Sequence, residues 1–138
     1  MRILCLDVGE KRIGISLSDP TGSIAQGLTV LNRVSLKKDM EYLEKILRDY
    51  EIGELVVGLP KDLNGSIGKK AKEVLDFVDN LKRYINIPVI LWDERFTTNE
   101  AHRIFSMAGM AQKKRKPFID IMSAQIILQG YLDAKKTV

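Results

Sequence analysis

RILCLDVGEKRIGISLS, residues 2–18, is the stretch from which the fold is read. Residues 2–8 form an almost unbroken apolar run that closes on Asp7, a pattern suited to a central strand covered on both faces. Residues 12–18 alternate instead. Ile13, Ile15 and Leu17 share one face, and Gly14, Ser16 and Ser18 share the other. Gly9 lies between the two runs and supports a tight reversal, so the segment predicts an antiparallel hairpin.

Working outward, Gln26–Leu31 predicts a third strand after a turn that contains Pro20 and Gly22. The period then changes. From Leu36 to Tyr50, the apolar residues Met40, Leu43, Ile46, Leu47 and Tyr50 recur at helical spacing. Glu54–Pro60 reads as a buried strand, and Ser66 as the N-cap of a helix burying Ala71, Val74, Leu75, Val78 and Leu81. Pro88–Trp92 is a fifth strand that runs into Asp93-Glu94-Arg95. Thr97 and Glu100 form a capping box for a short helix with Ala101, Ile104, Phe105 and Ala108 on its apolar stripe, ended by Gly109. Pro117 opens a last helix, with Ile121, Ala124, Leu128, Tyr131 and Leu132 facing inward. The order β-β-β-α-β-α-β-α-α predicts an α/β fold. Its five-stranded mixed sheet, antiparallel only at the second strand, is flanked by helices in one domain over residues 1–138.

Bulk properties narrow the function classes. The 138 residues are 45% hydrophobic and 29% charged, the balance of a globular chain rather than a disordered one. Apolar runs such as Leu55–Val57 and Val89–Trp92 are too short to cross a bilayer, and the N-terminus shows no secretion signal. Cys5 is the sole cysteine and reads as a buried hydrophobe in a reducing compartment, so a cytoplasmic protein is expected. The 22 basic residues exceed the 18 acidic ones by a margin that permits a polyanionic partner without requiring one.

In open α/β sheets ligands gather beyond the carboxyl ends of the strands. Asp7 ends the first run there, and Asp93 and Glu94 end the fifth. If these strands are parallel, Asp7 and Glu94 share an edge, where a hard divalent cation would relieve their repulsion. Asp120, in the first turn of the last helix, is a candidate third ligand. Each acid also has an ordinary explanation. Asp120 can complement a helix dipole, Asp7 can form a turn before Gly9, and Asp93 or Glu94 can be a solvated strand-end acid.

LDVGEKRIGISLSD (6–19), VVGLPKDLNGS (56–66), PVILWDERFTTNEA (88–101) and DIMSAQIILQGYLD (120–133) together resemble the motifs of the YqgF family, also described as Holliday-junction resolvases of the RuvX type. The resemblance runs through nearly the whole chain in order and spacing. It implies a ribonuclease H-like fold and a metal-dependent nuclease, acting either on branched DNA junctions or in 5′-end maturation of precursor 16S rRNA. It also implies that Asp7, Glu94 and Asp120 are the catalytic acids and hold Mg²⁺ or Mn²⁺. Asp93 matches the pattern without an assigned role. The departures, LNGS for the common MDGS and FTT for LTT, touch none of the proposed ligands.

Such an acid set suits an in-line displacement at two metal ions, with Asp7 bridging them. The only histidine, His102, reads as a solvated side chain. Lys11, Arg12, Arg95, Lys113, Lys114, Arg115 and Lys116 are the candidates for holding a nucleic-acid backbone. Aromatic residues, at 7%, offer no evident base-stacking platform. Two rivals stand beside the nuclease. Asp7-Val8-Gly9 also fits the first phosphate loop of an actin-like or sugar-kinase phosphotransferase, but that class expects two lobes, and no P-loop is present. A non-catalytic nucleic-acid-binding or ribosome-assembly factor would keep the fold without turnover. Either a monomer or a homodimer is compatible, since junction cutting needs two active sites and trimming one strand needs one.

The basic run yields a direct test. Replacing Lys113, Lys114, Arg115 and Lys116 with Ala should weaken nucleic-acid binding and flatten its salt dependence by roughly 0.7–0.9 in log–log slope for each phosphate contact removed. An unchanged slope in the quadruple variant would reduce the run to a solvated loop.

Overall fold

The computed structural model describes residues 1–61, 64–94 and 116–136. Its elements in chain order are β1 (Arg2–Val8), β2 (Arg12–Ser18), β3 (Ala25–Asn32), α1 (Leu36–Asp49), β4 (Ile52–Leu59), α2 (Lys69–Leu81), β5 (Val89–Asp93) and α3 (Lys116–Lys136). The sheet order is β3-β2-β1-β4-β5. β2 runs antiparallel to both of its neighbours, while β1, β4 and β5 are mutually parallel. The mixed five-stranded sheet read from the sequence is therefore the sheet observed. The short helix expected around Thr97–Ala108 lies outside the described residues.

Alternation along the strands sorts side chains between two cores. On one face, Leu4, Leu6, Ile13, Ile15, Leu55 and Val57 pack beneath α1 and α2. On the other, Ile3, Cys5 and Val56 meet Ile127, Leu128, Tyr131 and Leu132 of α3. Both faces of β1 are thus covered, which is why its sequence is apolar throughout.

Helix α1 starts where Ser35 caps it, accepting the Lys38 N–H at 3.2 Å. Of the predicted stripe, Met40, Leu43, Ile46 and Leu47 are buried, whereas Tyr50 is the exposed C-cap beyond the last helical turn. Helix α2 starts later than the Ser66 cap predicts. Gly68 is its N-cap and supplies no side-chain hydrogen bond. The Ser66 N–H instead donates to Asn64 Oδ1 at 3.0 Å, and Gly65 has φ of 87°, so turn formation takes precedence over helix capping here. Phe77 joins Ala71, Val74, Val78 and Leu81 in the buried stripe.

The small residues of β2 and β3 have a purpose that alternation alone does not reveal. A Cβ built on Gly14 would lie 2.0 Å from the Asp120 carbonyl oxygen, and one on Gly27 would lie 2.4 Å from Ile121 Cγ2. Buried Ser16 donates to the Ala124 carbonyl at 2.7 Å. The buried Ser18 hydroxyl accepts the Ile3 N–H at 2.8 Å, satisfying a backbone donor at the start of β1. Helix α3 therefore lies with its backbone almost on the sheet, over Gly14, Ser16 and Gly27.

Gly14→Ala should cost about 1–3 kcal/mol of stability, because the helix cannot yield without disturbing the core beneath it. The measurement is the urea midpoint at unchanged slope. A midpoint equal to that of the wild type would show that α3 can lift freely.

Candidate active site

The first turn of α3 sits directly over the carboxyl end of β1. Asp7 pairs across the hairpin with Gly14, the residue on which the Asp120 backbone rests. The next strand brings in the second acid. Leu6 pairs with Val57, and Gly58 pairs with Trp92, so Gly58 lies between the ends of β1 and β5. A Cβ on Gly58 would come within 2.6 Å of Glu94 Oε1 and 3.0 Å of Ile127 Cδ1. Glycine at this position is what lets the Glu94 carboxylate lie over the sheet.

Asp7 and Glu94 line one cavity of about 360 Å³, together with Glu10, Arg33, Lys70 and Glu73. Burial, reinforced by the Asp120 charge, raises the Asp7 pKa from 3.8 to about 6, and the Lys70 charge opposes the rise. Burial and then the Asp7 charge raise Glu94 from 4.5 to about 7, again against Lys70. Both acids are held in a buried, acid-rich setting that disfavours their charged forms. Asp120 differs, because Arg12 Nε holds its Oδ2 at 2.8 Å.

The structure thus brings Asp7 and Glu94 into one cavity and sets Asp120 beside Asp7, paired to Arg12. Among the described residues no three metal-binding side chains stand close enough together to cage an ion. The donor set nevertheless fits a hard divalent cation: Asp7 and Glu94 supply oxygen, and Asp120 Oδ1 is not engaged by Arg12. Asp93, at the end of β5, lies 3.9 Å from Lys61 Nζ. Lys11 is exposed in the hairpin turn. Lys116 opens α3, whereas Arg95, His102, Lys113, Lys114 and Arg115 lie outside the described residues. Cys5 is fully buried; burial and then the Asp7 charge push its thiol well above its ordinary value, as expected of a packing residue.

Arg33, Lys70, Glu10 and Glu73 also line the cavity and were not anticipated from the sequence. A signal for Arg33 existed. β3 is antiparallel to β2 and so runs with β1, which places its carboxyl end on the edge that carries Asp7. The reasoning that selected Asp7 and Glu94 selects Arg33 once that direction is known.

A mixed sheet with one antiparallel strand, helices on both faces and acids at the carboxyl edge defines the ribonuclease H-like class. Over 99% of the chain and 96% of the neighbour, the fold matches Thermus thermophilus RuvC, solved with a Holliday junction substrate, at a TM-score of 0.66 and 14% identity. It matches the fowlpox virus Holliday junction resolvase at a TM-score of 0.56, 14% identity and coverage of 98% and 99%. Within that class the chain belongs to the RuvX family, described as Holliday junction resolvase, whose profile matches residues 1–134. A relative from Thermoanaerobacter pseudethanolicus is 50% identical over 137 residues, 99% of either chain. One from Clostridium novyi is 45% identical over 134 residues, covering 97% of this chain and 99% of the relative. Both relatives are named provisionally as pre-16S rRNA nucleases.

The raised acids give a pH prediction. Both carboxyls keep their proton in the folded chain at pH values where the unfolded chain has already lost it. In this window the native state binds more protons, so stability falls as pH rises. The cation-free protein should therefore lose stability from about pH 4 up to about pH 7 and then level off. Asp19, held well below the carboxylate range by Thr21 and the Ile24 and Ser23 amides, acts only at lower pH. Asp7→Asn should recover about 1–3 kcal/mol at pH 7, from the 1.36 kcal/mol carried by each pKa unit. Thermal melts in EDTA decide the matter. An Asp7→Asn curve with the wild-type pH slope would rule out an uncompensated pair.

Proposed function

We propose that this chain is a divalent-metal-dependent nuclease that hydrolyses phosphodiester bonds in structured nucleic acid, with precursor 16S rRNA as its substrate. The observation that carries the reading is the pair Asp7 and Glu94 in one cavity at the carboxyl edge, with pKa values raised to about 6 and 7 by burial and by the neighbouring acids, against the charge of Lys70. Carboxylates so placed lose their protons readily to a cation, since metal binding and deprotonation are linked. Mg²⁺ or Mn²⁺ matches the all-oxygen donors.

Asp7 and Glu94 would hold the ion, and Asp120 would add a third carboxylate, its Oδ2 steadied by Arg12. When bound, the ion supplies positive charge to the phosphoryl oxygens and acidifies the attacking water. The chain contributes orientation. Gly58 leaves room for Glu94, and Gly14 sets the height of Asp120 above Asp7. The RNA substrate follows the names of the nearly full-length relatives. A second reading, cleavage of a four-way DNA junction, follows the family description and the junction-bound RuvC neighbour of the same fold. Either activity places the protein in the cytoplasm with nucleic acid as its partner.

Cleavage of a 5′-extended 16S precursor and a four-way junction, side by side in Mg²⁺, tests the reading. Wild type should cut the precursor, while Asp7→Asn and Glu94→Gln should each lose about 10²–10³-fold in rate, as for other groups that stabilise transition-state charge. A wild-type protein that cuts neither substrate in Mg²⁺ or Mn²⁺ would falsify the enzyme and leave a nucleic-acid-binding factor.

A further inference from the structure

Two cations face the acids across the cavity, and one of them is built in with unusual care. Arg33 directly follows β3. Its Nη1 donates to the Gly9 carbonyl at 2.8 Å, and its Nε lies 3.7 Å from Asp39 Oδ2. The guanidinium carbon stands 5.2 Å above the centre of the Phe77 ring. Asp39 is itself buried and fixed, accepting the Val34 N–H at 3.0 Å. The guanidinium is therefore held on three sides before any ligand arrives, and little further side-chain freedom is lost on binding. Arginine carries five N–H donors, and among the described residues no hydrogen bond engages Nη2.

Lys70 lies on the first turn of α2, with an exposed side chain and no ion pair among the described residues. Its charge is felt by both Asp7 and Glu94. Among the described residues that line the cavity, four carboxylates (Asp7, Glu10, Glu73, Glu94) stand against two cations (Arg33, Lys70), a formal charge of −2 when all are ionised. One divalent ion neutralises that charge. Arg33 and Lys70 can then attract an anion instead of only balancing the acids.

We propose that Arg33 and Lys70 form a phosphodiester clamp at the cavity, holding backbone phosphates of the strand that lies across Asp7 and Glu94. This rests on the nuclease reading above. Arginine suits the role through its planar fork, which grips two phosphate oxygens, and lysine adds a mobile point charge. Such contacts position the strand and read no base.

The test uses the full-length protein and a labelled single-stranded RNA. Binding is measured in Ca²⁺ over a salt series, and steady-state cleavage in Mg²⁺, for wild type, Lys70→Gln, Arg33→Lys and Arg33→Gln. Lys70→Gln should lower the salt slope by about 0.7, the value for one contact on a single strand. Its loss of activity should fall on KM more than on kcat. Arg33→Lys keeps the charge but loses the fork, and should weaken binding severalfold at nearly unchanged slope. Arg33→Gln should lose both affinity and slope. Since Arg33 also steadies Asp39, that variant is read beside its melting curve, and the other two decide if it unfolds. Wild-type affinity, slope and KM in Lys70→Gln and Arg33→Lys, or a wild type that binds no RNA, overturns the clamp. A protein whose slope depends on Lys70 but which cuts nothing upholds the clamp and overturns the nuclease. Cleavage with unaltered slopes does the reverse.

Discussion

The close seating of α3 on β2 and β3 is the constraint on which the rest of the structure depends. Over Gly14 the helix backbone meets the strand, over Ser16 a hydroxyl reaches the Ala124 carbonyl, and Gly27 makes room for the Ile121 side chain. Where helix and sheet both present side chains, those side chains hold the two backbones apart. Here the Asp120 backbone reaches the strand itself, so its side chain enters the site beside Asp7. Further along, Tyr131 donates to Glu54 Oε1 at 2.5 Å and packs edge-on to Trp92 at 5.5 Å. Gln129 accepts the Ala25 N–H at 2.9 Å. These contacts fix the rotation and register of α3, so the position of Asp120 is set by packing along its whole length.

The electrostatics divide the acids into two kinds. Asp39 and Asp120 each have an arginine partner, Arg33 and Arg12. Asp7 and Glu94 are buried in one cavity, their raised pKa values opposed by the Lys70 charge, and this arrangement costs stability in the cation-free protein. A folded chain keeps a local conflict of this sort where function requires it. Arg12 links the two kinds. The sequence suggests it as a backbone-binding residue, whereas in the structure its Nε is engaged in holding Asp120.

Among its described residues the cavity mixes four carboxylates with two cations, which suits a ligand that is itself an anion bridged by a cation. A plain anion site would need an excess of positive charge, and a plain cation site would not need Arg33. The placement of Arg33 over Phe77 shows how one residue serves both core and site. Its guanidinium lies over a ring of the helical core and also lines the cavity that holds Asp7 and Glu94.

The sequence by itself determined the hairpin, the strand count, the antiparallel second strand and the apolar stripes of α1 and α2. These follow from periodicities of 2 and 3.6, which are local properties of the chain. It also singled out Asp7 and Glu94, because both end apolar runs that share an edge if their strands are parallel, as they are. It misplaced the start of α2, where the Asn64-Gly65 turn takes precedence over the Ser66 cap, two local signals that composition could not rank. Only the tertiary structure decided that Gly14, Ser16 and Gly27 mark a close approach rather than a solvated face. Only it paired Asp120 with Arg12, 108 residues apart, and brought Arg33 and Lys70 to the acids. The reason is physical. A small residue, a charge or a strand-end arginine carries no periodicity, and its role depends on the element that packs against it. For these residues that element is distant in sequence.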